Sequence, residues 1–354
     1  MQYTNLGRTD IAISRICLGC MGFGDPQAGQ HSWTLDEDAS RAIIKQALDA
    51  GINFFDTAMG YQAGSSERFV GRALRDFARR EDVVVATKFV PRTSEQVEAG
   101  VMPMEHITSC LDASLERLGM DYVDLYIYHM WDWTMSVEQV MEALNAAVVA
   151  GKVRAIGFSN CRSWQLAQAN CLADAHGWAR VSSYQGHYNA LFREDDRDMT
   201  LYCEQEGVSM TPYSALAGGR LARPVGETTK RFEQDSYAHF KYDATAEADA
   251  VIINRVANIA RDRGVTMTEV ALAWLLQHVT APVAGATKPH HIDGAVAACD
   301  LVLTPEELAL IDEPYVPHAY VGVMAENLPV KAGAEHSWTA GVAGKRFDEN
   351  SLDK

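Results

Sequence analysis

No stretch of about eighteen consecutive apolar residues occurs in the 354-residue chain, so no membrane-spanning helix is expected. The opening residues, Met-Gln-Tyr-Thr-Asn-Leu-Gly-Arg, lack an apolar core of the secretory kind. Basic residues are scarce. Thirty-one Lys and Arg against 47 Asp and Glu leave a formal net charge of −16. Nucleic acid needs clustered Lys and Arg, so it is not expected as a partner, although one small phosphorylated ligand could still be held by a local cation. Cysteines number seven, an odd count, and fall within helix and strand patterns rather than between turns. They read as free thiols in a reducing, cytoplasmic setting. Cys17 and Cys20 form a single Cys-x-x-Cys with no second pair to complete a zinc site; Cys17 reads as core packing, and no metal is expected.

What the chain does have is a period. Apolar residues make up 47% of it, enough for a large core. From Ile16 onward, short strand patterns alternate with helix patterns at a repeat of roughly thirty residues, about what eight strand–helix units in ~250 residues require. The expected strands are Ile16–Gly19, Asn53–Asp56, Val83–Thr87, Val123–Tyr128, Val153–Gly157, Val181–Gln185, Val208–Pro212 and Pro282–Gly285. Helix signals stand between them. Asp36 can cap a helix with Ala39, Ile43, Ala47 and Leu48 on one face, stopped at Gly51. Ser65-Ser66-Glu67 opens a second, with Phe69, Val70, Ala73, Leu74 and Phe77 on one side. Ile107, Leu111, Leu115 and Leu118 mark a third, ended by Gly119; a fourth runs over Val137–Val149 to Gly151. Later helices are expected at Ile253–Arg263 and Thr268–Gln277. The fold class is therefore α/β, a single-domain (β/α)8 barrel over residues 1–324. A hairpin within Tyr3–Ser14 closes its far end. A polar segment, Ala215–Asp249, forms a long loop after the seventh strand, of the kind that serves as a lid. Residues 325–354 are polar and aperiodic and are expected to wrap the surface or be disordered. A doubly wound open sheet would need Gly-x-Gly-x-x-Gly after the first strand, and Gly19-Cys20-Met21-Gly22-Phe23-Gly24 has the wrong spacing.

Four chemically distinct side chains follow strand patterns: Asp56, Tyr61, Lys88 and His129. Delivered from neighbouring parallel strands, they converge on the face of the barrel where active sites lie. Carbonyl reduction needs a hydride donor at carbon and a proton donor at oxygen. A phenol is a weak acid at neutral pH unless a cation stabilises its anion, and Lys88 can be that cation with Asp56 balancing it. His129 can orient the substrate oxygen, leaving Tyr61 as general acid.

Those residues in their contexts, Asp56-Thr57-Ala58-x-x-Tyr61, Thr87-Lys88 and Tyr128-His129, resemble the aldo-keto reductase superfamily over Tyr3 to about Val323. Leu18-Gly19-Cys20-Met21-x-Phe23-Gly24, Gly51 to Ala58, Arg117 to Asp124 and Glu313-Pro314-Tyr315-x-Pro317-His318 are similar to its bacterial YajO-like branch, near aryl-alcohol dehydrogenases and potassium-channel β subunits. The resemblance implies NADPH as cofactor, no metal, and catalytic roles for Asp56, Tyr61, Lys88 and His129. It implies that Ser159, Asn160 and Gln185 hold the nicotinamide carboxamide and that Tyr213 stacks on its ring. Ser214, Leu216, Gly218 and Arg220 match the segment over the pyrophosphate, with Ala215 where proline is usual. Gly285, Thr287, Lys288 and His291 match the adenosine-phosphate site at the start of a helix, where backbone N–H groups suit a phosphate. His291 and Ala295 depart there from the frequent Gln and Asn. Phe23, Trp33, Met59, Phe89, Met130, Trp131 and Trp133 follow strand ends and are the expected apolar, aromatic substrate wall, suited to a small-molecule aldehyde or ketone.

The expected function is thus NADPH-dependent carbonyl reduction. A cofactor-binding, redox-sensing regulatory subunit is the alternative. A metal-dependent hydrolase using His129, Asp132 and His187 fits poorly, because Lys88 would repel a cation. Substrate identity and oligomeric state are not written in the chain.

Overall fold

The computed structural model describes residues 1–29, 31–229, 232–233 and 235–327. Two short strands, β1 (Tyr3–Asn5) and β2 (Ala12–Ser14), form an antiparallel hairpin. Eight further strands follow: β3 (Cys17–Gly19), β4 (Phe54–Asp56), β5 (Val84–Phe89), β6 (Val123–Tyr128), β7 (Val153–Ser159), β8 (Val181–Gln185), β9 (Ser209–Met210) and β10 (Val283–Gly285). From β4 to β9 each pairs in parallel with its predecessor, and β10 pairs in parallel with β3. Backbone bonds from Thr280 and Ala281 to the Met210 carbonyl, and from Val283 to the Pro212 carbonyl, join the remaining edges. The architecture is a (β/α)8 barrel.

The eight strand positions match the sequence expectation to within a residue or two. β5 and β7 run two residues further, to Phe89 and Ser159, and β9 is shorter. Helix stops also fall where glycine was read: Gly119, for example, takes a left-handed conformation (φ 65°) that caps Pro103–Leu118. Asp36 caps Glu37–Asp49 by accepting from the Ala39 N–H. One helix face differs. On Ser65–Phe77 the ring of Phe77 is exposed, and the buried side is Val70, Gly71, Ala73 and Leu74 together with Glu67. Gly71 is needed there because a Cβ would lie 2.0 Å from the Leu118 carbonyl oxygen.

Strand periodicity divides the core in two. Alternate residues face opposite sides of a strand, so Cys17, Phe54, Val84, Ala86, Leu125, Ile127 and Ala155 form the barrel interior. The hairpin adds Leu6, Ile11 and Ile13 to that cluster and plugs the end where the strands begin. Gly7 at its turn has φ 57° and approaches the Ser182 carbonyl so closely that a Cβ would lie 2.5 Å away. The opposite parity, Phe55, Val85, Phe89, Tyr126, Tyr128 and Phe158, packs outward against the helices.

The Ala215–Asp249 segment is more ordered than its polarity suggests. It contains a 3-10 turn at Ala217–Ala222 and a helix, Ser236–Tyr242, capped by Asp235 and anchored by buried Ala238, Lys241 and Tyr242. The next helix begins at Ala246, seven residues before Ile253 (253 − 246), because Thr245 and His318 satisfy buried Asp249 in its first turn. Beyond the barrel, helix Val323–Glu326 leads into Asn327, whose side chain donates to the Trp131 carbonyl at 2.9 Å. Most of the expected tail, residues 328–354, lies outside the described residues.

Candidate active site

The parity that fills the lower barrel with apolar side chains delivers chemistry at its upper rim. Phe54 and Asp56 share a face of β4, Val84, Ala86 and Lys88 one face of β5, and Leu125 and Ile127 lead on β6 to His129. Lys88 is fully buried. Its Nζ donates to Asp56 Oδ1 at 2.5 Å, to the Thr57 carbonyl at 2.8 Å and to the Tyr61 hydroxyl at 3.1 Å. Three donors thus meet three acceptors, which a buried ammonium requires. The second Asp56 oxygen accepts from Gln185 Nε2 at 3.0 Å.

Tyr61 reaches this point on a strained loop. Gln62 and Ala63 have φ of 48° and 51°, each costing of order 1 kcal/mol. The strain is held by Gln62 Nε2, which donates to the carbonyls of Asp25 and His31, and by the helix start behind it. There Ser66 bridges Thr57 and the Cys20 carbonyl. Glu67, with no exposure, accepts from Thr87 at 2.6 Å and from Arg117 at 2.5 Å. The sequence identified Glu67 only as a helix opener; its buried network had no linear signal.

The electrostatics refine the expectation for Tyr61. Burial pushes the phenol above its ordinary pKa, and the lowering effect of the Lys88 ammonium does not fully offset this. The expected net acidification is therefore not what the geometry gives: Lys88 moderates an upward shift. Burial works against the Lys88 charge too, but Asp56 and then Tyr61 outweigh it, so its pKa is raised and it stays an ammonium. Burial, reinforced by Lys88, lowers His129 to about 3, so its imidazole is neutral. Its ring meets that of Tyr61 edge-on at 6.0 Å, and its buried Nδ1 has no hydrogen-bond partner among the described residues.

The residues implied for a nicotinamide cluster beside this group. Asn160, at φ 50°, donates to the His129 carbonyl (3.0 Å) and to Ser159 (2.8 Å), and accepts from the Tyr213 hydroxyl (2.9 Å). Next in the chain, Ser214, Ala217, Gly218 and Gly219 all have positive φ, from 49° to 95°. Leu216 lies half-buried between them, and Arg220 beyond has a buried Nη1 with no hydrogen-bond partner among the described residues. Left-handed turns of this kind point successive N–H groups to one side and suit an anion. After the adjacent strand β10, exposed Gly285 and half-buried Thr287 lead to exposed Lys288, which precedes helix Pro289–Ala298. His291 Nδ1 accepts from the Thr287 N–H, fixing that turn. Two anion-suited features on neighbouring strand ends therefore stand to one side of a strained polar floor, an arrangement that fits an extended dinucleotide.

The expected substrate wall separates into two groups. Trp33, Met59 and Trp133 are half-buried at the rim. Phe23, Phe89, Met130 and Trp131 are buried; Phe89 stacks on Tyr128 at 5.0 Å and Trp131 meets Phe158 edge-on at 5.8 Å. Phe89 has outward parity, opposite to Lys88, which places it under the helices and not at the barrel mouth. Asp132 is occupied by Arg92 and Thr134, and among the described residues no cluster of His, Cys, Asp and Glu could hold a metal. Residues the sequence did not single out include Asn189, which donates to the Ser214 carbonyl and to Tyr242, Arg223, which donates to the Gly219 carbonyl, and Lys241. Nothing in the linear pattern marks them, because each is an isolated polar residue in a loop or short helix.

A parallel barrel with a buried Asp–Lys pair, a half-buried Tyr on that lysine and a neutral histidine at the ends of its strands defines a class of barrel oxidoreductase. The family model for the aldo/keto reductase family matches residues 15–315, and the chain belongs to that family. It is 37% identical to versiconal hemiacetal acetate reductase of Aspergillus parasiticus over 90% of this chain and 98% of that protein. It is 35% identical to a putative aryl-alcohol dehydrogenase of Schizosaccharomyces pombe, over 89% and 96%. The thermostable aldo-keto reductase Tm1743, solved with the inhibitor epalrestat, superimposes with a TM-score of 0.71 at 26% identity, covering 89% of this chain and all of the other. The two curated relatives are fungal and do not support the expected bacterial YajO-like branch; the expected nearness to aryl-alcohol dehydrogenases agrees with the second of them. Membership makes the chain an oxidoreductase for small carbonyl compounds. No helix among the described residues is long and apolar enough to cross a membrane.

Proposed function

We propose that the protein reduces aldehydes or ketones to alcohols with NADPH, Tyr61 giving the proton to the carbonyl oxygen as hydride reaches carbon. The observation that carries this reading is the 3.1 Å contact from Lys88 Nζ to the Tyr61 hydroxyl, with Asp56 fixing the amine. NADPH, when bound, supplies the hydride. The chain's own residues do the rest. Tyr61 holds its proton at neutral pH, as a donor in reduction must, and the adjacent ammonium stabilises the oxygen as that proton leaves. Neutral His129 can hydrogen-bond a carbonyl oxygen without competing for the proton. Asn160 and Gln185 offer the amide donors and acceptors that a carboxamide needs. Lys288 at a helix start supports the 2′-phosphate of NADPH over the hydroxyl of NADH.

The apolar, aromatic rim at Trp33, Met59 and Trp133 favours a carbonyl compound with a ring or alkyl body, in keeping with relatives named for an aryl alcohol and for versiconal hemiacetal acetate. Mixing the protein with NADPH and a panel of aromatic aldehydes should bleach the reduced-nicotinamide absorbance, and far more slowly with NADH. Binding of NADPH without turnover on any aldehyde would instead favour a redox-sensing subunit.

A further inference from the structure

The cofactor reading leaves one buried group unexplained. Lys241, on helix Ser236–Tyr242, is 5% exposed, yet among the described residues no carboxylate lies within ion-pair distance of it. Its Nζ donates to the Ser214 hydroxyl at 2.7 Å and lies 4.8 Å from the ring centre of Tyr237 and 5.5 Å from those of Tyr213 and Tyr242. A second cation, Arg220, is close by. It is 9% exposed and pairs through Nη2 with Asp243, while among the described residues its buried Nη1 has no hydrogen-bond partner. The two buried cations have only Asp243 at ion-pair distance, with Asp235 farther off, so positive charge beside the left-handed Ser214–Gly219 turn is only partly compensated. A protein tolerates that where an anion is to be received.

We propose that Lys241 is a positioning residue for the cofactor's diphosphate: its ammonium holds the Ser214 hydroxyl and, with Arg220, gives the Ser214–Arg220 turn the positive charge that the diphosphate neutralises. The assignment rests on the dinucleotide reading above and goes beyond it. It names a residue of the long segment as the link between that segment and the cofactor. Ser214 is tied from two sides, since Asn189 holds its carbonyl and Lys241 its hydroxyl. Its left-handed backbone, φ 59°, would otherwise relax.

The environment of Lys241 also makes the interaction titratable. Burial lowers the amine to about 8, Asp235 opposing this and Arg220 adding to it. Other titratable groups around it are Tyr237, Tyr242 and Asp243 on its own helix or at its end, and Tyr213 and His187 from the barrel. Burial holds all three tyrosines above their ordinary values and His187 below its own, so none of these four changes charge between about pH 7 and 9.5. Over that range the amine loses its proton, and affinity for a diphosphate should fall as it does.

The test measures dissociation constants by quenching of protein fluorescence for wild type, Lys241→Met and Lys241→Arg. The probes are NADP+, NAD+ and adenosine 2′-monophosphate, which lacks the diphosphate. Lys241→Met should weaken NADP+ and NAD+ by the same factor, roughly tenfold, and leave adenosine 2′-monophosphate unchanged; Lys241→Arg should recover most of the loss. Wild-type affinity for NADP+ should decline from about pH 7 to 9.5, with no such decline for adenosine 2′-monophosphate or in Lys241→Met. If wild type binds NADP+ with a flat pH profile, or Lys241→Met binds it as tightly, the role of Lys241 is overturned while the cofactor reading stands. Wild type that binds no dinucleotide overturns both. Should Lys241→Met fail to fold, the wild-type pH profile decides.

Discussion

Lys88 Nζ lies 3.1 Å from the Tyr61 hydroxyl and 2.5 Å from Asp56, entirely out of solvent, so the amine, the acid and the phenol act as one unit. Removing Asp56's charge should therefore do more than slow catalysis. Asp56→Asn leaves a buried ammonium facing a neutral amide, a change that typically costs about 3–5 kcal/mol. Urea unfolding should show a midpoint drop with an unchanged slope. The raised Lys88 pKa sets the pH window: its stabilising contribution is complete below the unfolded value near 10.4 and is lost only as pH rises through the higher folded value. Wild type should accordingly show no Lys88-dependent change in stability from about pH 6 to 9.

His129 gives the opposite sign. Its folded pKa is lowered to about 3, so the unfolded chain binds a proton near pH 6.5 that the folded chain refuses. Its contribution to stability is present above about pH 6.5 and declines below it. A His129→Gln variant should show a shallower loss of stability between about pH 6.5 and 4. Reductive turnover in wild type should show no imidazole-dependent limb in that interval, because the ring is already neutral.

Much of this was legible in the linear chain, and the reason is parity. Phe54 and Asp56, Val84 and Lys88, Leu125 and His129 are separated by even numbers of residues, so an apolar strand interior and a polar strand end on one face specify both barrel and site. Glycine stops such as Gly119 fixed the helix ends. The substrate wall was less legible because parity ends with the strand: Trp131 folds back beneath Phe158 and Tyr128, while Trp133, two residues on, stays at the rim. Glu67 and Lys241 were invisible as buried charges, since a single charged residue on a helix looks solvated until its tertiary neighbours are known.

Glu67 offers a test of support at a distance. It joins Arg117 on one helix to Thr87, the neighbour of Lys88, without touching the proposed site. Glu67→Ala leaves the partly buried Arg117 guanidinium unpaired and should destabilise the fold by about 3–5 kcal/mol. Glu67→Gln should lose less, because the bond to Thr87 can persist. Thermal denaturation of the pair reads the difference.

Trp133 and Asn327 test the rim. Trp133 Nε1 donates to the Asn327 carbonyl at 3.2 Å, and Asn327 Nδ2 donates to the Trp131 carbonyl at 2.9 Å, so the last described residue clamps the loop after β6. Asn327→Ala should raise KM for bulky aromatic aldehydes severalfold, with little effect on small ones and none on NADPH binding. An equal rise for every aldehyde would place the clamp outside the substrate wall.

The central claim is that the Tyr61 hydroxyl delivers the proton, and Tyr61→Phe tests it most directly because the ring and its packing remain. Steady-state turnover with NADPH and an aromatic aldehyde, measured beside the NADPH dissociation constant, should fall by about 10²–10⁴-fold while cofactor affinity stays within a factor of about two. Turnover close to that of wild type, with cofactor bound normally, would contradict the account.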